Sequence, residues 1–457
     1  MTSPRLQILQ GDWIERLREL PDACVQMCCT SPPYWGLRDY GTATWEGGDP
    51  NHCHDRILAR NGRGGSGAPG KQTAGAFPSD LPVDTCSCGA VCVDHQLGLE
   101  KTPTEYVAKL VEGFREVRRV LRDDGVLFLN LGDTYASQGG SFDPSEWENK
   151  QSTNRGSSER TRRAPIGLKP KDLVGIPWSV AFALRDDGWY LRSDIIWHKP
   201  SPMPESVTDR PTKSHEYIFL LSKNPTYFYD GLAIAEPLTR PEESERKTPA
   251  RFGGADKWEE AQKQSRLHSG NEYVGTPTGT RNKRTVWTVP SAPYAEAHFA
   301  TYPPDLIKPC ILAGTSAKGC CPKCGAPWER VVETNNPSKD SNIGEDLTGG
   351  AAVTDNPQTS KGLHRNGGGV YSTRQTVNWQ PTCECMVVND HVAPDQNGYT
   401  SPLEPIPCTV LDCFAGSGAS GQVALELGRN AILIELNPKY IELIRQRTNV
   451  TPGLALA

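Results

Sequence analysis

The sequence lacks the features of a membrane, secreted or strongly basic protein. No apolar run approaches the roughly 20 residues that span a bilayer, and no secretory signal peptide opens the chain. The net charge is −5, so overall charge does not indicate a nucleic-acid partner, and any basic surface must be local. We therefore expect a cytoplasmic protein with no membrane partner.

Apolar residues are scarce and loop-forming residues are plentiful. Apolar side chains make up 36% of the chain, beside 44 glycines and 38 prolines, which indicates a globular core carrying long loops. The 457 residues suffice for two or three domains. The chain has 15 cysteines and no secretory signal, which indicates a reducing compartment where clustered cysteines bind metal rather than form disulfides.

A short motif, Thr-Ser-Pro-Pro-Tyr at residues 30–34, follows an apolar run at 23–29 that has the length of a buried strand. Its two prolines stop both strand pairing and helix formation, so the strand ends abruptly in a rigid loop. In open α/β sheets, ligands bind outside the carboxyl ends of strands. The Ser31 hydroxyl, the Pro32 carbonyl and the Tyr34 ring are therefore candidates for holding a ligand. The alternative is an ordinary Pro-Pro turn after a core strand.

A second motif lies near the other end of the sequence. A strand at 409–414 leads through a glycine-rich turn and a helix to a strand at 431–435. The glycines of such a βαβ unit allow close backbone approach to a ligand, and the final acid, Glu435, can accept hydrogen bonds from two ribose hydroxyls. This pattern predicts a nucleotide-like cofactor; the alternative is a tight turn in a ligand-free sheet. Asp12 lies on a similar strand-to-helix turn, where it could contact a ligand or only cap the helix.

Two cysteine-rich segments interrupt the alternation of strands and helices. The first, at 46–98, carries candidate zinc ligands with irregular spacing, for which free thiols are the alternative: Cys53, His54, Cys86 and Cys88. In the second, at 319–399, Cys321 and Cys324 form a zinc knuckle, Cys-x-x-Cys followed by glycine. Cys383 and Cys385 could close this second site, with Cys320 as an adjacent rival.

Together, Asp-Cys-Phe-Ala-Gly-Ser-Gly at 412–418 and Thr-Ser-Pro-Pro-Tyr at 30–34 closely resemble motifs of the S-adenosylmethionine-dependent DNA amino-methyltransferases, the N4-cytosine/N6-adenine family. The catalytic motif precedes the cofactor motif, as in the circularly permuted β group of that family. The resemblance implies an α/β fold with a Rossmann-like methyltransferase sheet of seven strands, mostly parallel with one antiparallel strand. The two cysteine-rich segments are then zinc-ribbon-like insertions.

The resemblance also implies the residues that surround the cofactor. They are Asp12, Phe299, Thr301, Asp305, Asp412, Phe414, Gly416, Ser417, Gly418 and Glu435. Glu435 would hold the ribose hydroxyls, and Asp12 would meet the adenine amino group. The glycine-rich turn would approach the methionine part of the cofactor, which Phe299, Thr301 and Asp305 would help to enclose.

The catalytic residues implied by the resemblance are Ser31, Pro32, Pro33 and Tyr34. An exocyclic amine is a poor nucleophile because its lone pair is delocalised into the base. Hydrogen bonds to the Ser31 hydroxyl and the Pro32 carbonyl would hold this amine and favour its tetrahedral form during methyl transfer. The base must leave the duplex, and Tyr34 would stack on it. Since the family uses Ser-Pro-Pro-Tyr more often for cytosine N4, we favour that base, with adenine N6 as the alternative.

The resemblance also divides the chain into parts. We expect a catalytic part at 1–45 and 99–230, a target-recognition region at 231–293, and a cofactor-binding part at 294–318 and 400–450, with insertions at 46–98 and 319–399. The expected partner is double-stranded DNA in a prokaryotic or phage-encoded system, and a cognate restriction endonuclease is a further candidate. Two other readings stay open: an inactive, zinc-stabilised DNA-binding protein, and a methylase of RNA or protein.

Overall fold

The computed structural model describes residues 5–36, 42, 44–49, 88–93, 96–100, 102–136, 168–237, 280–291, 302–335, 373–388 and 400–449. Within these ranges the helices are α1 (Trp13–Arg18), α2 (Pro103–Val120), α3 (Ile176–Asp186), α4 (Pro304–Gly314), α5 (Ala419–Glu426) and α6 (Pro438–Thr448), with a 3-10 turn at Gly231–Ile234. The strands are β1 (Leu6–Gln10), β2 (Val25–Thr30), β3 (Thr44–Glu46), β4 (Val91–Val93), β5 (Leu121–Leu131), β6 (Tyr190–His198), β7 (His215–Ser222), β8 (Glu236–Pro237), β9 (Thr280–Arg281), β10 (Val286–Thr288), β11 (Trp328–Asn335), β12 (Thr373–Pro381), β13 (Met386–Val388), β14 (Thr400–Pro402), β15 (Thr409–Asp412) and β16 (Asn430–Glu435).

Eight of these strands form one sheet, in the order β1-β16-β15-β2-β5-β7-β6-β10. Neighbouring strands are parallel except at β7, which runs antiparallel to both β5 and β6. The predicted α/β fold with a Rossmann-like, mostly parallel sheet is therefore confirmed. The predicted count of seven strands is one too low, because β10 adds to the edge beside β6 and buries Trp287.

Helices cover both faces of this sheet. All six residues of β2 are buried, as expected for a parallel strand with no solvent-facing side. Alternate side chains of β2 enter opposite clusters: Cys28 packs with residues of α1, α2 and α3, whereas Met27 and Cys29 pack with residues of α4, α5 and α6. The core therefore lies in two layers, and the ends of the strands are left free to carry a site.

Local sequence signals set the position of the helices that cover the first face. Helix α2 begins at a capping box between Thr102 and Glu105, with Pro103 in its first turn. Gly113 in α2 lies against the Trp13 ring of α1, where a Cβ would be 2.0 Å from the nearest ring carbon. This close contact fixes α1, and with it the turn that carries Asp12.

The remaining strands form two-stranded units outside the main sheet. Strand β11 pairs with β12, β13 with β14, β3 with β4, and β8 with β9, all antiparallel. The β11–β12 hairpin carries two cysteines within seven residues before β11 and two within four residues after β12. Among the residues that the structure describes, no helix is long and apolar enough to cross a membrane.

Candidate active site and cysteine cluster

The ends of four parallel strands meet at one edge of the sheet, which we call the carboxyl edge. Ser31 follows β2, Cys413 follows β15, Leu436 follows β16 and Gly11 follows β1. These strands are adjacent in the sheet. The predicted catalytic loop and the predicted cofactor turn are therefore neighbours, although more than 370 residues separate them in the sequence.

The predicted catalytic loop, residues 31–34, is held at several points. The Tyr106 hydroxyl donates to the Pro33 carbonyl at 2.9 Å. The Tyr34 ring lies close over Gly132, where a Cβ would come within 2.4 Å of ring carbon Cε2. The Tyr34 hydroxyl donates to Glu216 Oε2 at 2.7 Å. Desolvation and the Glu216 charge raise the pKa of Tyr34 well above its ordinary value, so the phenol stays protonated.

Asn130 is a buried polar residue in β5 that the sequence analysis did not select. The Ser31 hydroxyl lies 3.3 Å from Asn130 Oδ1, and the Asn130 amide nitrogen donates to the Tyr217 carbonyl at 3.0 Å. The second bond orients the amide so that its oxygen faces Ser31. A signal was present in the sequence, because Asn130 is the one polar residue in the apolar run 126–131.

The glycine-rich turn is built around the Glu435 carboxylate, which is only 9% exposed. Its two oxygens each accept one backbone N–H, from Gly416 and from Asn437, both at 2.8 Å. Burial raises the pKa of Glu435 to about 7. Gly416 has a φ of +52°, and a Cβ built there would have no atom within 4 Å. The residues present therefore fit a cofactor, since the turn leaves open space beside a carboxylate that has acceptor capacity to spare.

Asp412, at the end of β15, is completely buried and accepts hydrogen bonds from four groups. Thr30 Oγ1 and the Phe414 N–H donate to Oδ1 at 2.6 and 3.0 Å. The Tyr302 hydroxyl donates to Oδ2 at 2.7 Å, and the Ser420 hydroxyl donates to the same oxygen. Burial raises the pKa of Asp412, and these hydrogen bonds oppose the rise. The carboxylate is thus occupied by the protein's own donors and orders both motifs.

Other predicted cofactor residues have identifiable neighbours. Asp12 Oδ1 caps α1 by accepting the N–H groups of Ile14 and Glu15 at 2.9 and 3.1 Å. The Phe414 ring lies 4.7 Å from the Trp13 ring between centroids. The Ser417 hydroxyl is 2.6 Å from Arg447 Nη1 and is engaged by α6. Gly418, at φ +80°, is the N-cap residue before α5, and a Cβ there would meet Ile444 at 3.2 Å.

The segment before α4 is described only in part. Phe299 and Thr301, both predicted to enclose the cofactor, lie outside the described residues. Asp305 lies exposed in the first turn of α4. Tyr302, which the sequence analysis did not select, donates its hydroxyl to Asp412. Its pKa is raised well above the ordinary value by burial and by the Asp412 charge.

A cluster of four cysteines forms at the base of the β11–β12 hairpin. The sulfur atoms of Cys321, Cys324, Cys383 and Cys385 all lie within 4.8 Å of one another, an arrangement that could hold a metal ion. The knuckle turn is closed by the Gly325 N–H, which donates to the Cys321 carbonyl at 2.8 Å. Burial raises the pKa of the Cys321 thiol, but hydrogen bonds from the N–H groups of Cys324 and Lys323 outweigh it and bring the pKa to about 7. The rival Cys320 is buried and makes its contact with Cys408 instead.

The cysteine cluster lies where the parallel strands β2, β5 and β15 begin, which we call the amino edge of the sheet, opposite the predicted catalytic loop. Gln26, near the start of β2, donates to the Gly325 carbonyl at 3.1 Å and accepts from the Thr409 N–H at 2.6 Å. Arg122, at the start of β5, donates to the Cys324 carbonyl. These contacts fasten the knuckle to the first residues of three strands. The six-residue strand β2 separates this end from Ser31 by about 17 Å, at 3.3 Å per residue.

The first cysteine-rich segment falls largely beyond the structure. Cys53, His54 and Cys86 lie outside the described residues, and Cys88 is partly buried next to the short strand β4. In the described part of the chain, the Cys321 group is the one cluster of three or more metal-ligating residue types close enough to share an ion.

Comparisons with known proteins agree with this geometry. The family model N6_N4_Mtase, described as DNA methylase, matches residues 25–321 and 408–446, a range that includes both motifs. The Type II methyltransferase M.XycI of Xanthomonas campestris pv. cyanopsidis is 38% identical over 308 residues, covering 67% of this chain and 72% of its own. M.SmaI of Serratia marcescens is 37% identical over 314 residues, covering 68% and 76%. M.SfiI of Streptomyces fimbriatus is 28% identical over 468 residues, covering 96% and 90%.

Among solved structures, the PvuII DNA methyltransferase (cytosine-N4-specific) overlaps with a TM-score of 0.44 at 12% identity, covering 99% of this chain and 89% of its own. The strand order of the sheet, rather than this overlap, defines the fold. The family match extends over well more than half of the sequence, and two relatives exceed 30% identity. The chain therefore belongs to the DNA methylase family and is a DNA methyltransferase of the N4/N6 amino-methyltransferase type.

Proposed function

We propose that this chain transfers a methyl group from S-adenosylmethionine to the N4 amine of a cytosine that has left a DNA duplex. The observation that carries this proposal is the parallel pairing of β2 with β15, because it brings the Ser31 loop beside the glycine-rich turn. A donor held at the turn and an amine held at the loop are then neighbours. Holding two reactants in position supplies a large part of the barrier reduction in such transfers.

The cofactor half of the site is proposed to be the glycine-rich turn and the end of β16. S-adenosylmethionine, when bound, supplies the methyl group on a positively charged sulfonium. Glu435 is suited to hold ribose hydroxyls, since each of its oxygens receives one backbone N–H and keeps room for another donor. Asp12, one strand away, would meet the adenine amino group. The remaining contacts are proposed for Phe299, Thr301, Asp305, Phe414, Gly416, Ser417 and Gly418, with Asp412 acting through the residues it orders.

The catalytic half is proposed to be the loop from Ser31 to Tyr34. The Ser31 hydroxyl can donate its proton to Asn130 Oδ1, which leaves its lone pairs free to accept an N–H of the target amine. The Pro32 carbonyl offers a second acceptor, and Pro33 restricts the loop. Tyr34 offers an aromatic surface on which a base can stack outside the duplex.

The choice of base depends on Ser31. The resemblance described above implies that Asp-Pro-Pro-Tyr goes mostly with adenine and Ser-Pro-Pro-Tyr more often with cytosine N4, and this chain has Ser31 at the first position. We therefore propose cytosine N4 as the methylated atom, with adenine N6 as the alternative.

Identification of the methylated nucleoside tests this proposal. Purified protein would be incubated with duplex DNA and S-adenosylmethionine carrying a tritiated methyl group, and the DNA digested to nucleosides for chromatography. We expect the label in N4-methylcytosine and its loss with Ser31→Ala. Label in N6-methyladenine would reject the base assignment and leave DNA methylation intact. If the protein is folded and no nucleoside of any duplex tested carries the tritiated methyl group, the proposal is wrong.

The cysteine cluster is proposed to hold a structural Zn²⁺. Four thiolates that converge from a knuckle and a hairpin are the ligand set that Zn²⁺ takes in closed, tetrahedral sites. The described part of the hairpin contains few buried apolar side chains, so a metal would supply much of its folding energy. Its place at the amino edge supports a structural rather than a catalytic ion. Cys53, His54, Cys86 and Cys88 are proposed, on sequence alone, as a second site.

The setting of the reaction is proposed from the relatives. Their Type II designation supports a restriction-modification system, in which a cognate endonuclease would be the partner and the prokaryotic cytoplasm the location. The segment 231–293 is proposed to recognise the DNA sequence, and much of it lies outside the described residues.

A further inference from the structure

We propose that Glu216, held by Lys199, is a positioning residue of the methyl-transfer site. Its carboxylate anchors the Tyr34 hydroxyl and so fixes the ring on which the target base stacks. This inference rests on the proposed function and adds to it a pair of residues outside both recognised motifs.

The antiparallel direction of β7 explains how Glu216 reaches the site. A parallel strand would place its amino end at the amino edge of the sheet, far from the catalytic loop. Because β7 is reversed, its second residue, Glu216, pairs with Trp197 near the end of β6. Its next residue, Tyr217, pairs with Leu131 at the end of β5. The one antiparallel strand of the sheet thus delivers a carboxylate to the carboxyl edge.

Glu216 is held on both of its oxygens by three partners, the weakest of which is the Asn130 amide nitrogen, 3.4 Å from Oε2. Oε2 accepts the Tyr34 hydroxyl at 2.7 Å, and Oε1 accepts the Lys199 ammonium. The Lys199 and Glu216 side chains are only 23% and 15% exposed, so solvent screens the pair less than a surface ion pair. The Lys199 nitrogen also lies 4.2 Å from the centroid of the Trp197 ring. The carboxylate is therefore fixed in place before any substrate arrives.

The Tyr34 ring is fixed in turn. Its hydroxyl is bound by Glu216, one side of the ring packs over Gly132, and Tyr106 holds the preceding carbonyl of Pro33. Asn130 Oδ1, which lies 3.2 Å from the Tyr34 hydroxyl, also lies 3.3 Å from the Ser31 hydroxyl. The same cluster therefore sets the ring that stacks on the base and the hydroxyl that accepts from its amine.

A double-mutant cycle between Tyr34→Phe and Glu216→Ala tests the anchor. The measured quantities are the single-turnover rate of methyl transfer and the KM for duplex DNA. Each single variant should slow transfer by about tenfold or more, because misplacing a reacting group by about 1 Å can cost on the order of 100-fold. The double variant should be no slower than the slower single variant, because both changes remove the same bond.

Two further variants separate positioning from loss of structure. Glu216→Gln keeps an acceptor oxygen for Tyr34 and should retain more activity than Glu216→Ala. Glu205→Ala is the matched control. Glu205 forms an ion pair with Arg210 in the loop that precedes β7, and the side chains of this pair are about as exposed to solvent as those of the Lys199–Glu216 pair. We expect its transfer rate to match the wild type, and the thermal midpoint of every variant is measured alongside.

Two outcomes would overturn the proposal. In the first, the fold loss in rate of the double variant equals the product of the losses of the two single variants, which would mean that Glu216 does not act through the Tyr34 hydroxyl. The other is a wild-type rate for Glu216→Ala. The wild-type protein in the same assay reports separately on the proposed function, because transfer to duplex DNA by the unmodified chain establishes that function whatever the variants do. The same double-mutant cycle, applied to thermal midpoints, measures the coupling between Tyr34 and Glu216 independently of activity.

Discussion

Thr30 donates a 2.6 Å hydrogen bond to Asp412, and both residues are completely or almost completely buried. The bond crosses from the last residue of β2 to the last residue of β15, although 382 positions separate the two in the sequence. Each residue is followed at once by a motif, the catalytic loop after Thr30 and the glycine-rich turn after Asp412. The spacing between these two motifs is therefore set by a buried side-chain bond as well as by strand pairing.

Replacing Asp412 with Asn should destabilise the protein. Each Asp412 oxygen accepts two donors, so an amide nitrogen on either side would face two donors that it cannot accept. The expected loss is about 1–3 kcal/mol for each donor left without an acceptor. Urea unfolding would measure it, with Asp186→Asn as the control, since Asp186 is exposed and should change stability by no more than about 0.5 kcal/mol. Equal midpoints for Asp412→Asn and wild type would contradict the four-donor arrangement.

Cofactor affinity should depend on pH through Glu435. Its pKa of about 7 means that the carboxylate is mostly ionised at pH 8 and mostly protonated at pH 6. Since the ionised form accepts hydroxyl donors on both oxygens, affinity for S-adenosylmethionine should fall about tenfold from pH 8 to pH 6. Calorimetry at several pH values would show this slope. Glu435→Gln should flatten it, and a slope that persists in that variant would assign the dependence to another group.

The same pKa shift has the opposite sign for folding. The pKa in the folded chain lies above the ordinary value of 4.5, so the contribution of Glu435 to stability is greatest below pH 4.5 and declines as the pH rises through 7. Without cofactor, the wild type should therefore lose stability relative to Glu435→Gln between pH 5 and pH 8. Thermal midpoints of the two proteins across that range would measure the difference, and parallel curves would speak against a raised pKa.

Ser31→Ala and Tyr34→Ala should separate catalysis from binding. Ser31 is proposed to touch only the target amine, so its loss should lower turnover and leave the affinities for cofactor and DNA near those of the wild type. Tyr34→Ala also removes the stacking surface for the base, worth about 1–3 kcal/mol by analogy with stacking in single strands. Methyl-transfer and gel-shift assays on both variants decide. An unchanged transfer rate for Ser31→Ala would exclude this loop as the catalytic site.

Metal content should follow the cysteine cluster. Purified protein, prepared without chelator, should contain one zinc ion per chain, or two if the first cysteine-rich segment also binds. Cys383→Ser removes one ligand and should lower the zinc content by one and the thermal midpoint with it. Cys24→Ser is the control, since Cys24 is partly buried and is not one of the four clustered cysteines. The proposal would be wrong if purified wild-type protein contained no zinc and Cys383→Ser had the same thermal midpoint as the wild type.

The sequence was most informative where a predicted site is formed by residues close together in the chain. The strand that runs into Ser31, the glycine-rich turn with Glu435 and the Cys-x-x-Cys knuckle are each local patterns with a physical reason for their spacing. Asp12 was left between two roles, and the structure shows its helix cap, while the cofactor role stays a prediction.

The sequence was least informative where contacts depend on how distant strands align. Glu216 reaches Tyr34 only because β7 is antiparallel, a direction that its own residues do not encode. Tyr302 meets Asp412 through the packing of α4 on the sheet. Strand β10 was missed because three residues in a polar segment carry too little periodicity to predict a strand. Pairing with β6 stabilises it as a strand where its own β propensity would not.

The pairing of β1 with β16 and of β2 with β15 also constrains how the protein is made. Strand β2 leaves the ribosome about 380 residues before β15, which at 5–20 residues per second is on the order of 20–80 s. Throughout that interval one edge of β2 has no partner and is exposed to aggregation or chaperone capture. A nascent chain therefore lacks the proposed cofactor turn until strands β15 and β16 emerge, so we expect a translation product cut short before Thr409 not to methylate DNA.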